Sequence, residues 1–409
     1  MAAPGLYAYS GRDSSGKVVK GRIEATSQAG VVTKLRAMGV SPIDIAESGG
    51  GSGLQRELNL PGLSKRVKLK DLAVMSRQMA TMISAGLSLI RTLGILADQT
   101  ENKELARILG VVRSDVETGL SLSEALGKHP TVFPPLMIHL VRAGETGGFL
   151  DTALDSAADT LEADVKLRDT IKSALTYPVV VLAISMVSVI GMLVFIVPIF
   201  EKMFADLGGE LPAPTLILVA ISHAMPIIAA IGIPGFIVFN VWWRANRHTD
   251  RVRAVVDPIR FKLPVFGNLF KKVAVARFSR NFSTMIGSGV PILQSLGIVG
   301  ETSGSYVVEQ ALRKVQESVR QGKSIAGPMA QEPVFPSMVV QMIAVGEDSG
   351  SMEVMLTKVA EFYEAEVEAT TEALTSLIEP LMIAFIGIVI GGMIVALYLP
   401  VFSIFDQIK

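Results

Sequence analysis

Three long stretches without a charged side chain constrain the fold of this chain more than any other feature of its sequence. They cover residues 173–200, 211–243 and 380–405. A helix needs about 20 apolar residues to cross the roughly 30 Å of hydrocarbon in a bilayer, and each stretch exceeds that length. The pattern predicts three transmembrane helices. The alternative is three buried helices in a large soluble protein.

Prolines bracket the first and the third stretch in the same way. Pro178 and Pro198 bracket the first, and Pro380 and Pro400 bracket the third. Proline is tolerated in the first turn of a helix, where its missing N–H has no partner in any case. We therefore expect Pro178 and Pro380 to lie in the first turns of membrane helices. The second stretch contains internal prolines and glycines, which predict a kink or close helix packing.

The charges that flank the stretches predict the orientation of the chain. Acidic residues outnumber the single lysine in the connection 201–210, whereas basic residues dominate 244–272 and precede the first stretch at 166–172. Positively charged flanks stay in the cytoplasm. Residues 1–10 lack the basic and apolar segments of a signal peptide. We expect a multi-pass protein with a cytoplasmic N-terminus and an external C-terminus.

A direct internal repeat decides the domain architecture. Residues 75–96 read MSRQMATMISAGLSLIRTLGIL and residues 278–299 read FSRNFSTMIGSGVPILQSLGIV. They share Ser-Arg, Thr-Met-Ile, Gly and Leu-Gly-Ile, nine identities in 22 positions. The bracketing prolines also repeat, so the pattern indicates two copies of one domain, each followed by a span. Both copies should face the same solvent, and the first two spans supply the even number of crossings that this requires.

Each copy is predicted to be a compact bundle of about six antiparallel helices. Leu72, Met75 and Met79 fall at helical spacing, and Gly86 stands where a left-handed C-cap is expected. Gly289 is its counterpart in the second copy. The first sixty residues instead alternate like strands around one short helix, which predicts a small ββαβ-like module.

The predicted fold class is an all-α integral membrane protein with two homologous cytoplasmic helical bundles, three transmembrane helices and a small N-terminal α+β module. The predicted domains are an N-terminal module at 1–47, a flexible linker at 48–63, cytoplasmic helical domain 1 at 64–172, transmembrane helix 1 at 173–200, an external loop at 201–210, transmembrane helix 2 at 211–243, cytoplasmic helical domain 2 at 244–376, transmembrane helix 3 at 377–405 and an external C-terminus at 406–409.

A short glycine-bounded motif recurs in both copies, GETGG at residues 144–148 and GEDSG at residues 346–350. Glycine permits backbone angles that are closed to other residues, so a tight turn between helices explains both motifs. Glu145 and Glu347 would then lie just before a helix, where the positive end of the helix dipole favours a carboxylate. The alternatives are a contact surface for a partner, or a cation site that includes Asp151 or Asp348. The glycines of the motif are Gly144, Gly148, Gly346 and Gly350.

A second polar pair also repeats on largely apolar helices. Ser76-Arg77 in the first copy corresponds to Ser279-Arg280 in the second. Hydrogen bonds between packed helices are the simplest interpretation of both pairs.

Two further features leave alternatives open. His223 lies within the second span, where an ionisable side chain is a functional candidate and a packed, neutral histidine is the alternative. The basic residues Arg66, Lys68 and Lys70 precede the first bundle. They either lie against anionic lipid or begin a solvated helix.

The sequence offers little support for catalysis. There is no cysteine, and the 38 basic residues balance the 38 acidic ones, so no overall positive field points to nucleic acid. Gly322-Lys323-Ser324 ends like a Walker A loop, but Glu317 stands where its first glycine belongs. No motif indicates a cofactor or a strong metal site. A membrane-bound enzyme is therefore a weak alternative, and so is a small transporter, because three spans per chain suit transport poorly.

With the repeat and the spans in place, the chain resembles the GspF/PilC family of inner-membrane platform proteins. The doubled [FM]-S-R-x-x-x-T-M-I segments, the doubled G-E-x-x-G motifs and the span after each copy carry the resemblance over residues 70–405. The N-terminal module also resembles the extension of many family members.

The resemblance implies a location and a set of partners. It implies the bacterial cytoplasmic membrane, a hexameric cytoplasmic assembly ATPase bound through the soluble domains, and contacts with pilin or pseudopilin transmembrane helices. Other inner-membrane assembly proteins and further copies of the chain are also expected partners. The implied role is to couple the ATPase to the insertion of subunits into a filament, in a type IV pilus or a type II secretion system.

Overall fold

The computed structural model describes residues 5–12, 18–25, 28–47, 67–206, 211–247 and 249–407. The chain divides into two compact units, residues 1–64 and 65–409. Several predicted features lie outside the described residues, namely the linker at 48–63, Arg66, residues 207–210 of the external loop and residues 408–409 of the C-terminus.

The N-terminal unit is a three-stranded antiparallel sheet with one helix. Strand β1 pairs with both other strands, in the order β2-β1-β3. The helix buries Val31 and Leu35 in a small apolar core with Ala25 and Val40. The order of elements is the one that the sequence predicts. The elements are β1 Gly5–Arg12, β2 Val18–Ala25, α1 Gln28–Ala37 and β3 Ser41–Glu47.

The first bundle begins the second unit and contains six helices. Met75 and Met79 are fully buried in its core, and Gly86 adopts the predicted left-handed conformation after α2, with φ of 85°. The helices are α2 Leu69–Ser84, α3 Leu89–Gln99, α4 Lys103–Glu117, α5 Leu122–Gly127, α6 Pro135–Gly147 and the first half of α7 Leu150–Gly191.

The chain then crosses to the second bundle through two apolar helices. The first of them is formed by the second half of α7 and by α8, with a π-helical turn at Met192–Ile196 between them. The second is α9. Helix α10 leads from α9 into the second bundle. These helices are α8 Val197–Asp206, α9 Ala213–Asn246 and α10 Asp250–Lys262.

The second bundle repeats the first, helix for helix. Phe278 and Phe282 of α11 take the core positions of Met75 and Met79, and Gly289 repeats the left-handed turn with φ of 69°. The predicted two-bundle architecture is confirmed. The helices are α11 Phe266–Gly287, α12 Ile292–Thr302, α13 Tyr306–Arg320, α14 Ala326–Ala330, α15 Ser337–Ser349 and α16 Met352–Gln407.

Three helical segments among the described residues are long and apolar enough to cross a membrane, namely Leu150–Asp206, Ala213–Asn246 and Met352–Phe402. The position expected for Pro178 and Pro380 is wrong, because both lie inside continuous helices that begin in the bundles. A proline removes only one backbone hydrogen bond, and apolar surroundings favour keeping the others. Each bundle therefore passes into its span without a break, and the predicted domain boundaries at 172 and 376 stay predictions.

Candidate functional site

The repeated glycine–glutamate motif has a different geometry from the predicted turn. Helix α6 continues through Gly147, so Glu145 lies in its last turn and not before the next helix. Gly148 then ends the helix with a left-handed φ of 77°. The carboxylate of Glu145 accepts the backbone N–H groups of Leu122 and Ser123, at 2.5 and 3.1 Å. It therefore satisfies donors at the start of α5, which comes earlier in the chain.

The second copy uses its glutamate in the same way. Glu347 accepts the N–H groups of Ile325 and Ala326, with the shortest distance at 2.8 Å, at the start of α14. Gly350 repeats the left-handed end of the helix with φ of 70°. A helix dipole favours each carboxylate, as expected. However, the helix is the one earlier in the chain, α5 or α14, and not the helix that follows the motif. This contact holds the short fourth helix of each bundle against the fifth.

The first glycine of each motif lies where two helices touch. A Cβ on Gly144 would stand 2.5 Å from the Cβ of Ala153, and a Cβ on Gly346 would stand 2.9 Å from the Cα of Met352. Real Cβ atoms do not approach other atoms so closely. Glycine is therefore required at both positions by close packing between the fifth and sixth helices.

The proposed cation site gains no support from these contacts. Asp151 and Asp348 are exposed, while Glu145 and Glu347 are engaged by backbone N–H groups. In the part of the chain that the structure describes, no three His, Cys, Asp or Glu side chains converge as a metal site would require. The structural interpretation of the motif accounts for every contact observed.

The serines of the two Ser-Arg pairs are buried. The side chains of Ser76 and Ser279 are fully enclosed, and the Ser76 hydroxyl lies 3.8 Å from the sulfur of Met137. Both serines therefore face the core of their own bundle, but the Ser279 hydroxyl has no hydrogen-bond partner among the described residues, so the predicted hydrogen bond between helices is not seen there.

The arginines of these pairs join the first helix of each bundle to the last. Arg77 donates from Nε to Glu162 at 2.8 Å and also contacts Asp155 and Asp159 on α7. In the second copy, Arg280 binds Glu364 of α16 through two nitrogens, at 2.8 and 2.9 Å. The predicted hydrogen bonds are thus ion pairs between helices. Such bidentate pairs fix orientation as well as contributing energy.

A polar interface joins the two bundles. Arg277 of α11 contacts the Asp164 carboxylate of α7 at 2.7 Å, and the hydroxyls of Thr160 and Thr284 meet at 3.0 Å. Burial lowers the pKa of Arg277, and the negative charge of Asp164 opposes that effect. A cavity of about 510 Å³ lies beside these contacts. Since a buried charge is costly without its partner, the Arg277–Asp164 pair fixes how the two copies meet.

Two hydroxyls of α9 connect the three spans, and neither was singled out in the sequence analysis. Ser222 donates to the carbonyl of Leu193 at 2.5 Å, and Thr215 donates to the carbonyl of Ala396 at 2.5 Å. In an α-helix, the carbonyl of Ala396 would accept from residue 400, which is a proline without an N–H. Their spacing of seven residues, which places both on one face of an apolar helix, is the signal that could have identified them.

The Ser222 contact has the same origin as the Thr215 contact. The N–H of Val197 serves Met192 across the π-helical turn, and the following residue, Pro198, has no N–H to offer Leu193. The repeated prolines, Pro198 and Pro400, therefore each release a carbonyl that α9 satisfies. Helix α9, which has no counterpart in the repeat, joins the two repeated spans at carbonyls that lie one position apart in the register of the repeat.

His223 is not packed in the core, and the alternative that it has a functional role stays a prediction. It is 64% exposed, so it is not a packed core histidine, and its Nε2 lies 2.9 Å from the carboxylate of Glu201. Glu201 is the first charge after the first uncharged stretch, so His223 lies level with the end of that stretch. About 20 residues, or roughly 30 Å of helix, separate it from Trp242 near the other end of α9. The pair therefore suits an interface with water better than the middle of a span.

The fold and these contacts define a membrane protein built from a duplicated helical bundle, with each copy continuous with its own span. The chain matches the description "Type II secretion system (T2SS), protein F" over residues 75–198 and 278–400. It also matches the "Type II secretion system protein F, N-terminal domain" over residues 1–46. The chain belongs to the type II secretion system protein F family, as the sequence resemblance implied.

Curated relatives match the chain along nearly its whole length. It is 41% identical to the type IV pilus assembly protein PilC of Myxococcus xanthus, covering 100% of this chain and 97% of the relative. It is 43% identical to the protein of the same name from Thermus thermophilus, covering 99% of each. The type II secretion system protein F of Pseudomonas aeruginosa is 31% identical, covering 97% of this chain and 98% of the relative. Membership of a family of inner-membrane assembly components agrees with the three apolar helices.

Proposed function

We propose that this chain is the inner-membrane platform protein of a type IV pilus assembly machine. The observation that carries the proposal is similarity along the whole chain to two pilus assembly proteins, at 41% and 43% identity. A type II secretion system is the second candidate, because a protein F from such a system is 31% identical over a similar length. The difference in identity favours the pilus.

The proposed role is mechanical coupling between two kinds of partner. The bundles bind a hexameric cytoplasmic assembly ATPase, and the spans contact the transmembrane helices of pilin subunits. Two features support this assignment. The bundles contact each other through the Arg277–Asp164 ion pair, and each continues without a break into a span. A displacement imposed on a bundle would therefore reach the membrane directly.

The spans offer the apolar surface that such partners need. Phe195 and Ile388 are each more than 70% exposed on the first and third spans. These faces would lie against the lipid bilayer, pilin helices, other inner-membrane assembly proteins or a second copy of the chain. Neither span carries a charged residue between its bracketing prolines, which suits apolar partners better than it suits a transported ion.

Coupling requires no catalysis by the chain itself. No complete phosphate-binding loop occurs in the sequence, so the partner ATPase would supply the hydrolysis. A small transporter remains the alternative from another class. Substrate flux in proteoliposomes containing this chain alone would favour it.

Co-purification in detergent tests the coupling role. The full chain is expected to retain the assembly ATPase of the same organism and to change its rate of ATP hydrolysis. Deletions of residues 1–60, 65–170 and 270–370 locate the contact. A strain that lacks the chain is expected to make no filaments. If every form of the chain failed to bind the ATPase and the deletion strain kept normal filaments, the platform role would be wrong.

Cysteine labelling tests the proposed topology without background, because the chain has no native cysteine. Thr100→Cys and Gln310→Cys are expected to react with a membrane-impermeant reagent only after the cytoplasmic membrane has been permeabilised. Lys202→Cys is expected to react while the cytoplasmic membrane is still intact, once the reagent has passed the outer layers of the cell. Residues 100 and 310 on opposite faces would contradict the layout of two bundles on one side.

A further inference from the structure

Helix α10 has two unlike faces, and only one of them is used by the rest of the protein. On the inner face, Asp257 is buried and accepts the backbone N–H of Tyr306 at 2.8 Å. Arg253 pairs with Glu309 at 2.8 Å and lies 5.8 Å from the centre of the Tyr306 ring. These contacts fix α10 against α13, so its outer face has a defined direction.

The outer face carries apolar side chains between two cations. Arg251, Val255, Ile259 and Lys262 follow one another at intervals of three or four residues, which places them along one side of the helix. Val255 is 61% exposed and Ile259 is 56% exposed. Among the described residues, neither Arg251 nor Lys262 pairs with a carboxylate.

A strained turn extends this apolar face beyond the helix. Val265 has φ of 71° and ψ of −55°, and the N–H of Phe266 donates to the carbonyl of Pro264 at 2.8 Å. This is a γ-turn centred on a β-branched residue, a conformation that L-residues rarely adopt. It leaves Val265 and the nearby Leu263 exposed, next to the apolar face of α10. Strain of this kind persists only where the surrounding structure enforces it.

Both ends of this segment lie level with the ends of the spans. Three residues separate the end of α9 at Asn246 from the start of α10 at Asp250, and the exposed Trp242 lies in the last turns of α9. At the other end, Phe266 packs against the same apolar cluster as Ile171, which lies two residues before the start of the first uncharged stretch at residue 173. A segment with both ends at the level of the bilayer surface must run along that surface.

We propose that α10 and the turn at 263–265 form an interfacial element that lies in the headgroup layer and binds anionic phospholipid. Val255, Ile259, Leu263 and Val265 would insert at the boundary of the acyl chains, and Arg251 and Lys262 would contact lipid phosphates on either side. Amphipathic helices with basic flanks bury their apolar faces about 5–10 Å deep in this layer. The inference rests on the proposed membrane crossing of the three spans. It would place the start of the second bundle at a fixed height above the bilayer.

Fluorescent labelling at single introduced cysteines tests the inference on the full chain. Val255→Cys and Ile259→Cys are each labelled with the environment-sensitive dye NBD, and the protein is reconstituted in vesicles of phosphatidylcholine and phosphatidylglycerol. We expect blue-shifted emission, protection from aqueous iodide, and quenching by lipids spin-labelled near the headgroup. The matched control is Val354→Cys on α16, which has similar exposure at 52%. It lies 25 residues, about 38 Å of helix, before Glu379, and its label should stay open to iodide.

A second control separates this inference from the layout on which it rests. Val238→Cys lies on the apolar face of α9, and its label should be protected from iodide and quenched by lipids spin-labelled in their acyl chains. If the label at 238 were open to iodide, the spanning layout would be wrong. If the label at 238 were protected from iodide while the labels at 255 and 259 were quenched as strongly as the label at 354, only the interfacial element would be overturned. The same would follow if the labels at 255 and 259 were protected only after a protein partner was added.

The role of anionic lipid has its own test. Replacing Arg251 and Lys262 together by Gln, with NBD at 255, should reduce the blue shift in phosphatidylglycerol vesicles to the level seen in pure phosphatidylcholine. Equal protection of the unsubstituted protein in both kinds of vesicle would overturn the proposed binding of anionic headgroups.

Discussion

The two bundles share their helix contacts but differ in the charge around those contacts. Arg77 pairs with three carboxylates, whereas its counterpart Arg280 pairs, within the described part of the chain, with Glu364 alone. Glu162 and Glu364 occupy equivalent positions, so the pair between first and last helix is common to both copies. Asp155 is replaced by a threonine in the second copy. Close glycines, glutamate caps and one arginine pair therefore build the bundle in both copies, while the additional charges distinguish the surface of the first copy from that of the second.

The largest effect is expected where the fifth and sixth helices of each bundle pack most closely. Gly144→Ala should reduce the free energy of unfolding by about 1–3 kcal/mol, because the added methyl group meets the Cβ of Ala153. Gly346→Ala should cost less, since two of its three nearest atoms belong to the flexible side chain of Met355. Thermal unfolding of the purified protein in detergent measures both.

Gly110→Ala is the matched control for these substitutions. Gly110 lies inside α4 with open space around it. Alanine there should stabilise the protein by up to about 1 kcal/mol through helix propensity. Equal effects at 110, 144 and 346 would contradict the claim that close packing requires the repeated glycines.

The glutamate caps should have similar effects in the two copies. Glu145→Gln and Glu347→Gln each leave one carbonyl oxygen to accept from two backbone N–H groups. Each substitution should therefore lower the free energy of unfolding by about 1–3 kcal/mol. Hydrogen exchange should speed up only locally, at the start of α5 in the first variant and at the start of α14 in the second. Glu101→Gln, at an exposed position, is the control. Faster exchange across a whole bundle would show that the contact does more than cap one helix.

Sequence reasoning predicted the elements that depend on local patterns. The repeat, the uncharged stretches and the alternation before residue 47 predicted both bundles, the three apolar helices and the order of elements along the N-terminal module, but not the strand order of its sheet. The contact of Glu145 with Leu122 could not be predicted, because it joins residues 23 positions apart across two turns. Helix continuity through Pro178 was missed because the cost of a proline depends on its surroundings.

The spans allow the comparison of the two copies to be tested inside the membrane. Thr215→Val removes the donor to the carbonyl released by Pro400, and Ser222→Ala removes the donor that serves Leu193. Hydrogen bonds between membrane helices contribute about 0.6 kcal/mol on average, so each loss should be small and the two should be additive. Unfolding in mixed micelles measures them. Ser173→Ala, whose hydroxyl bonds within its own helix, should have less effect than either.

The smallest effect, expected at the arginine of the first bundle, depends on pH. The hydrogen bond from Arg77 lowers the pKa of Glu162 below its ordinary value of 4.5. A carboxylate whose pKa is depressed by folding stabilises the folded state above the unfolded pKa, and this stability is lost as the pH falls through the folded pKa. Arg77→Gln should therefore cost less than about 1 kcal/mol at neutral pH, and it should flatten the loss of stability below about pH 4.5.

Arg280→Gln is the matched variant in the second bundle, and its loss of stability is compared with that of Arg77→Gln. Arg280 and Glu364 are 25% and 30% exposed, whereas the three partners of Arg77 are 46% to 66% exposed. Water and salt screen the first copy more strongly, so Arg280→Gln should cost more at neutral pH and should depend less on salt. Equal costs and equal salt dependence would mean that the two arginines are interchangeable. The charge difference between the bundles would then have no energetic consequence at this contact.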